Sequence, residues 1–312
     1  MNFVDLKTEK LSVTRNGEVY SKSFYKGAIS ITGIVDESYP NYSDNADYVV
    51  GSKVIVPELK SIYISTTGDV TTPNIGNHPA FTTKWLFYSY VNSQNMFALD
   101  EGIGAKTVGM DVVATLEFNM INTLALVDID FESLKVEQFY DGVVRNQIDI
   151  SARDFSFREF DEYCFKPLKT KRKVIAELEW LPASTLVLTF SGNVSIGVLG
   201  RGRKEDLGIN LIGNQLDWQS NSRFKIDEFT GFRTVLRQGK VRVLSADIVV
   251  NTNDFNATAL KVDEIFDRNI LFIPTIHDDL NEAIVIGYLE GFSMNLNKSN
   301  IPTTAKIVGV AQ

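Results

Sequence analysis

Cysteine and histidine are almost missing from this chain: Cys164 is its one cysteine, and His78 and His277 are its two histidines. A lone cysteine excludes an intrachain disulfide, and two histidines so far apart in sequence offer no metal-ligand spacing. Neither redox chemistry nor a zinc site follows from such a composition, and no cofactor is expected. Long apolar runs are missing too. Nothing approaches the ~18 apolar residues of a membrane helix, and the opening MNFVDLKTEKLSV lacks the apolar core of a signal peptide. The expectation is a soluble protein, made in the cytoplasm, with no membrane insertion. Positive charge is in deficit, with a formal net charge of -8. Nonspecific nucleic-acid binding needs concentrated Lys and Arg, so the balance argues against it and mainly serves solubility.

Catalytic signatures are equally scarce. There is no Gly-x-Ser-x-Gly elbow and no Gly-Lys-Ser phosphate loop. Glu177 and Glu179 alternate with Leu178 and Trp180 as solvent-facing strand residues do, rather than as the paired carboxylates of a glycosidase. Gly200-Arg201-Gly202 reads as a turn, because no strand-to-helix transition follows it. Asp128 and Asp130 share a strand face at period two, but two carboxylates without an oxygen-rich loop make a poor calcium site. A non-enzymatic protein is expected.

What is present is β-structure. The length of 312 residues exceeds one typical domain, and 44% hydrophobic with 22% charged residues is ordinary for a folded chain. Ala28 to Val35 alternates, and Arg15-Asn16-Gly17-Glu18 carries a hairpin signal, so residues 1–43 read as a small β-unit or arm. Lys53 to Val56 and Ser61 to Ser65 are short strands of a small module over 44–94, followed by a turn-rich run from Gly68 to Pro79. Over 95–203 the strands become continuous: Thr107 to Phe118, Thr123 to Phe131, Leu134 to Tyr140, Val143 to Ile150, Val174 to Glu179, Thr185 to Ser191 and Val194 to Leu199. Asp141-Gly142 is the turn type of a two-residue hairpin. Regular short strands with turns between them predict a sandwich. Over 204–312, loop-like sequence leads to a strand from Lys240 to Val250. A helix follows with Phe255, Ala259, Val262, Ile265 and Phe266 on one face and Asn253 or Asp254 as its cap. Strands at Ile270 to Ile273, Ala283 to Gly291 and Ala305 to Val310 complete an α+β domain. The predicted class is mainly β: a small β-module, a jelly-roll β-sandwich and a C-terminal α+β domain.

The order Tyr48, Gly51, Val54, Tyr63, Pro79, Trp85 resembles a chitinase-type carbohydrate-binding module. Asn122-Thr123-Leu124-Ala125-Leu126, the Asp141-Gly142 hairpin and Val194-Ser195-Ile196-Gly197-Val198-Leu199-Gly200 resemble a galactose-binding-like jelly roll ending in a turn. With Ile286-Gly287-Tyr288-Leu289-Glu290-Gly291-Phe292, the order of the three parts resembles bacteriophage tail or baseplate structural proteins. The resemblance implies a virion protein assembled in the host cytoplasm, a homo-oligomeric ring, and other virion proteins as partners. A host surface glycan is the alternative partner.

A sugar site needs flat aromatic faces beside polar groups, and Tyr48, Tyr63, Trp85, Tyr88 and Tyr90 supply the rings. The same rings are the only side chains large enough to form a core in a module of about fifty residues, so Trp85 and Tyr48 read more readily as core. Ile64 stands where sugar-binding relatives place a further aromatic. The basic runs Lys169, Lys171, Arg172, Lys173 and Arg201, Arg203, Lys204 are candidates for docking an acidic neighbouring subunit.

Overall fold

The computed structural model describes residues 1–15, 17–25, 27–68, 76–98, 106–151, 153–154, 169–170, 172–211, 214–220, 223–226, 233–236, 240–266, 268–274, 283–296 and 300–309. The chain is mainly β. Its first part holds β1 (Asn2–Leu6), β2 (Thr8–Arg15), β3 (Glu18–Tyr25), β4 (Ser30–Ile34), β5 (Lys53–Val56), β6 (Ser61–Ser65), β7 (Trp85–Tyr90) and the short helix α1 (Asn92–Asn95). The middle holds β8 (Thr107–Glu117), β9 (Thr123–Asp130), β10 (Ser133–Tyr140), β11 (Val143–Ser151), β12 (Arg153–Asp154), β13 (Lys169–Thr170), β14 (Lys173–Glu177), β15 (Thr185–Ser191) and β16 (Asn193–Asp206). Last come β17 (Ile209–Asn210), β18 (Gln215–Ser220), β19 (Arg223–Ile226), β20 (Arg233–Leu236), β21 (Lys240–Asn251), helix α2 (Phe255–Ile265), β22 (Ile270–Ile273), β23 (Val285–Met294) and β24 (Asn300–Gly309).

The sandwich is made by strands that turn a corner. β15 continues into β16 across Gly192, whose φ of +80° suits glycine, and both halves pair antiparallel with β8. Beside them β10 pairs with β15 and β9 with β16, so the two-strand ribbon passes from one sheet to the next. One sheet runs β4-β8-β15-β10-β11, the other β14-β9-β16-β1. Val112, Leu116, Leu126, Leu134, Leu188 and Ile196 meet in their shared core. Each such side chain contributes about 1.5–3 kcal/mol by leaving water. At the β10–β11 turn Asp141 and Gly142 both have positive φ, 50° and 75°, as the two-residue hairpin required.

The opening residues do more than form an arm. β1 lies between β16 and β22, with Phe3 opposite Glu205 on one side and Phe272 on the other. Val4 and Leu6 point into the sandwich core, while Met1 and Phe3 point into the core under α2. β22 alternates in the same way: Leu271 and Ile273 belong to the first core, Ile270 and Phe272 to the second. This explains why its sequence ILFI is apolar at every position, since both faces are covered. The result is one sheet of fifteen strands among the described residues, continuing through β22-β23-β24-β21 to β17 and β18.

Gly200-Arg201-Gly202 is not a turn but the interior of β16. Both neighbours, β9 and β1, hydrogen-bond there, so the chain stays extended, and the glycines admit the approaching β1. A Cβ on Gly202 would lie 2.1 Å from the Asp5 carbonyl oxygen. Gly202→Ala is therefore expected to destabilise the protein by about 1–3 kcal/mol through displacement of β1, read as a lower midpoint in urea at unchanged slope.

Helix α2 buries Thr258, Val262 and Ile265 against β21 and β23. Its entry is capped by neither Asn253 nor Asp254. Asn251 Oδ1 accepts from the Asn253 N–H at 3.0 Å, ahead of a 3-10 turn at Thr252–Asp254.

Candidate functional site

The small module is a three-stranded antiparallel sheet, β5-β6-β7. Pro40 and Tyr42 extend it beyond β5: the Ile55 N–H donates to the Pro40 carbonyl at 2.9 Å and the Tyr42 N–H to the Ile55 carbonyl at 2.8 Å. Alternation along β5 sends Val54 and Val56 inward with Leu59, Tyr48, Tyr63 and Trp85. The β2–β3 hairpin covers this core with Leu11, Val13 and Tyr20.

Tyr48, Tyr63, Trp85 and Tyr90 are thus interior side chains, and an interior ring offers no face to a sugar. Tyr48 meets Trp85 edge-on at 5.1 Å, and the Trp85 Nε1–H donates to the Asn77 carbonyl at 2.6 Å. Burial pushes the Tyr63 hydroxyl pKa upward. Tyr88 alone of the five presents its ring to solvent, 53% exposed, because alternation along β7 sets it on the outward face with Leu86. The Lys53 ammonium stands 3.6 Å over the Tyr88 ring and 5.3 Å from that of Tyr39. Leu86 is exposed on the same strand.

A second cluster joins hairpin and module. Arg15 Nη2 pairs with Asp44 at 2.7 Å, and the Tyr42 hydroxyl donates to Asp44 at 2.8 Å. Tyr42 stacks on Tyr48 at 5.7 Å and meets His78 edge-on at 5.0 Å. Burial, with the Asp44 bond, raises the Tyr42 pKa to about 12. His78 Nδ1 accepts from the Ala80 N–H at 3.2 Å, so the ring is neutral. Burial, then Arg15, holds its pKa below the ordinary 6.5. An unfolded chain would take up this proton at higher pH than the folded module does. The stability that neutral His78 contributes is present above about pH 6.5 and declines as pH falls through that value. Thermal melts at pH 7.5 and 5.5 should accordingly show a smaller acid-induced loss in His78→Gln than in the natural protein.

Asn92 anchors the module to the sandwich. Its side-chain amide donates to the carbonyls of Val35 (3.0 Å) and Val108 (2.8 Å), and its oxygen accepts from the Val108 N–H at 2.9 Å. The module is therefore held by buried bonds rather than by a loose linker.

The basic candidates divide. Arg201, 1% exposed, is interior: its Nη2 donates to the Gly27 carbonyl at 2.9 Å, its Nη1 has no hydrogen-bond partner among the described residues, and burial pushes its pKa down to about 10. Lys173, 3% exposed, is also interior and donates to the Ile284 carbonyl at 2.5 Å. Neither can meet a neighbouring subunit, which corrects their reading as docking residues: Arg201 lies within β16 between β9 and β1, and the Lys173 ammonium is held inward by the Ile284 carbonyl. Arg172 and Arg203 are exposed, and Arg203 pairs with Glu205 at 3.5 Å. Lys204 pairs with Glu177. Of Lys169 only the backbone is described, in β13; Lys171, Cys164 and His277 lie outside the described residues.

Asp128 takes a left-handed φ of +54°, breaking the period-two pattern shared with Asp130, and pairs with Lys106 at 2.7 Å. Among the described residues no group of His, Cys, Asp and Glu could hold a metal ion, and no helix is long and apolar enough to cross a membrane. A groove of about 440 Å³ between α2 and the β17 edge is lined by Asp206, Gly208, Asn251, Asp254, Thr258 and Lys261. Its cation is already engaged, Lys261 pairing with Glu205 at 3.0 Å.

Sequence reasoning passed over Arg15, Tyr39, Tyr42 and His78, although the run Tyr39-Pro40-Asn41-Tyr42 carried two aromatics around a proline just ahead of the module. No protein-family model, curated protein or solved structure matches the chain.

Proposed function

We propose that this chain is a non-enzymatic structural subunit of a bacteriophage virion, of the tail, baseplate or neck, that docks neighbouring virion proteins as part of a ring. One observation carries the reading: among the described residues several strands of the large sheet have a single partner and leave an edge open. Among the described residues β11 pairs only with β10, and β18 only with β21. Open edges are templates for another chain, and two different edges on one subunit suit head-to-tail closure. The interior fate of the candidate sugar rings favours the same reading. Light scattering of the purified chain over a wide concentration range tests it. Self-association, or incorporation into particles, is expected; a monomer that joins no assembly would sink the proposal.

Tyr88 favours a second reading, recognition of a host surface glycan. Its exposed ring beside Lys53 pairs an aromatic face with a hydrogen-bond donor. A glycan array comparing the natural protein with Tyr88→Ala decides: binding unaffected by the substitution removes this face from the site.

A further inference from the structure

We infer that the outward face of the β5-β6-β7 sheet recognises an acidic saccharide, whose anionic group meets Lys53 while its ring stacks on Tyr88, an inference that rests on the glycan reading above and names its sugar class.

Alternation gives the two faces of this small sheet different uses. Val54, Tyr63 and Trp85 fill the core, so the residues beside them, Lys53, Ile64 and Leu86, point away from it. The three stand in one row across the strands, Lys53 opposite Ile64 and Ile64 opposite Leu86. Leu86 is 60% exposed. The row is a shallow apolar floor with a cation at one end. Two tyrosines attend that cation. The Lys53 ammonium lies 3.6 Å from the centre of the Tyr88 ring, 5.3 Å from that of Tyr39, and donates to the Tyr39 hydroxyl at 3.4 Å.

Charge decides the class of ligand. The chain carries a formal net charge of -8, yet among the described residues no carboxylate pairs with Lys53, whose contacts are the two tyrosines. An ammonium has three donors, and with one spent on the Tyr39 hydroxyl the others stay open to an anion. A hydrogen bond from a cation to an anionic oxygen is about twice as strong as a neutral one. Lys53 covers one face of the Tyr88 ring, and at 53% exposure Tyr88 keeps surface for the apolar C–H face of a sugar. The Tyr39 hydroxyl accepts from Lys53 and keeps its own proton for a sugar oxygen. A neutral sugar would leave the cation unused, and a bare anion would leave the ring unused. A sugar bearing a negative group uses both.

A glycan array of neutral, carboxylated and sulfated saccharides tests the class, read with the natural protein and with Lys53→Gln, Lys53→Arg and Tyr88→Ala. Carboxylated or sulfated members should bind about tenfold more tightly than neutral members of the same backbone. Lys53→Gln should erase that preference, Lys53→Arg should keep most of it, and Tyr88→Ala should weaken acidic and neutral members alike. Circular dichroism melts confirm that each variant is folded. A salt series on the natural protein needs no substitution: added salt should weaken acidic members and leave neutral ones unchanged. Neutral saccharides bound as tightly as acidic ones, or an acidic preference that Lys53→Gln leaves intact, overturns this inference while the glycan reading stands. An array on which nothing binds overturns both.

Discussion

Trp85→Ala is expected to cost about 3–5 kcal/mol and to unfold the small module. Trp85 is the largest ring in a core built from few side chains, Tyr48, Val54, Val56, Leu59 and Tyr63. Its removal takes away the edge contact with Tyr48 and leaves the Asn77 carbonyl without the indole donor. A core so small cannot collapse around the void, so the cavity term adds to the lost burial. Hydrogen exchange followed by mass spectrometry should show protection lost across β5, β6 and β7 and retained in β9 and β16. A variant that keeps a protected module would mean that Trp85 is peripheral to its core. The contrast with Tyr88→Ala is informative: an exposed ring on the same strand should change stability by less than about 0.5 kcal/mol.

Phe3→Ala carries the second large effect, again about 3–5 kcal/mol. Phe3 is buried in the core under α2, on a strand whose alternate residues Val4 and Leu6 belong to the sandwich core. Because β1 hydrogen-bonds to both β16 and β22, loosening it disturbs both cores together. Sandwich and C-terminal unit should therefore melt in one transition that shifts as a whole, with Leu6→Ala shifting the same transition from the other side. Calorimetry that resolved two transitions, with Phe3→Ala moving only one, would show the units to be independent.

Much of the secondary structure was legible because period two and turn chemistry are local. Lys53–Val56, Ser61–Ser65, Thr185–Ser191 and Ile270–Ile273 are strands over the ranges their residues predicted, and the Asp141-Gly142 hairpin follows from backbone preference alone. Burial of Trp85 and Tyr48 was legible too, since a small module needs its large rings for its core. Legibility failed where a distant strand decided the environment. Arg201 looked like surface charge because neither strand that encloses it, β9 or β1, is near in sequence, and Lys173 because the Ile284 carbonyl that takes its ammonium is remote in the chain. Gly200 to Gly202 looked like a turn because their partner is the chain's opening strand.

The sequence by itself determined a mainly β chain with a hairpin, a small aromatic module, a sandwich and one C-terminal helix, because alternation, β-branched content and turn residues act over a few positions. Only the tertiary structure decided that β1 joins the sandwich to the C-terminal unit, that the candidate docking cations lie inside, and that Tyr88 alone among the candidate rings faces water. Those outcomes depend on long-range pairing, in which a strand's second neighbour sets what its outward side chains meet, and no local pattern encodes that neighbour.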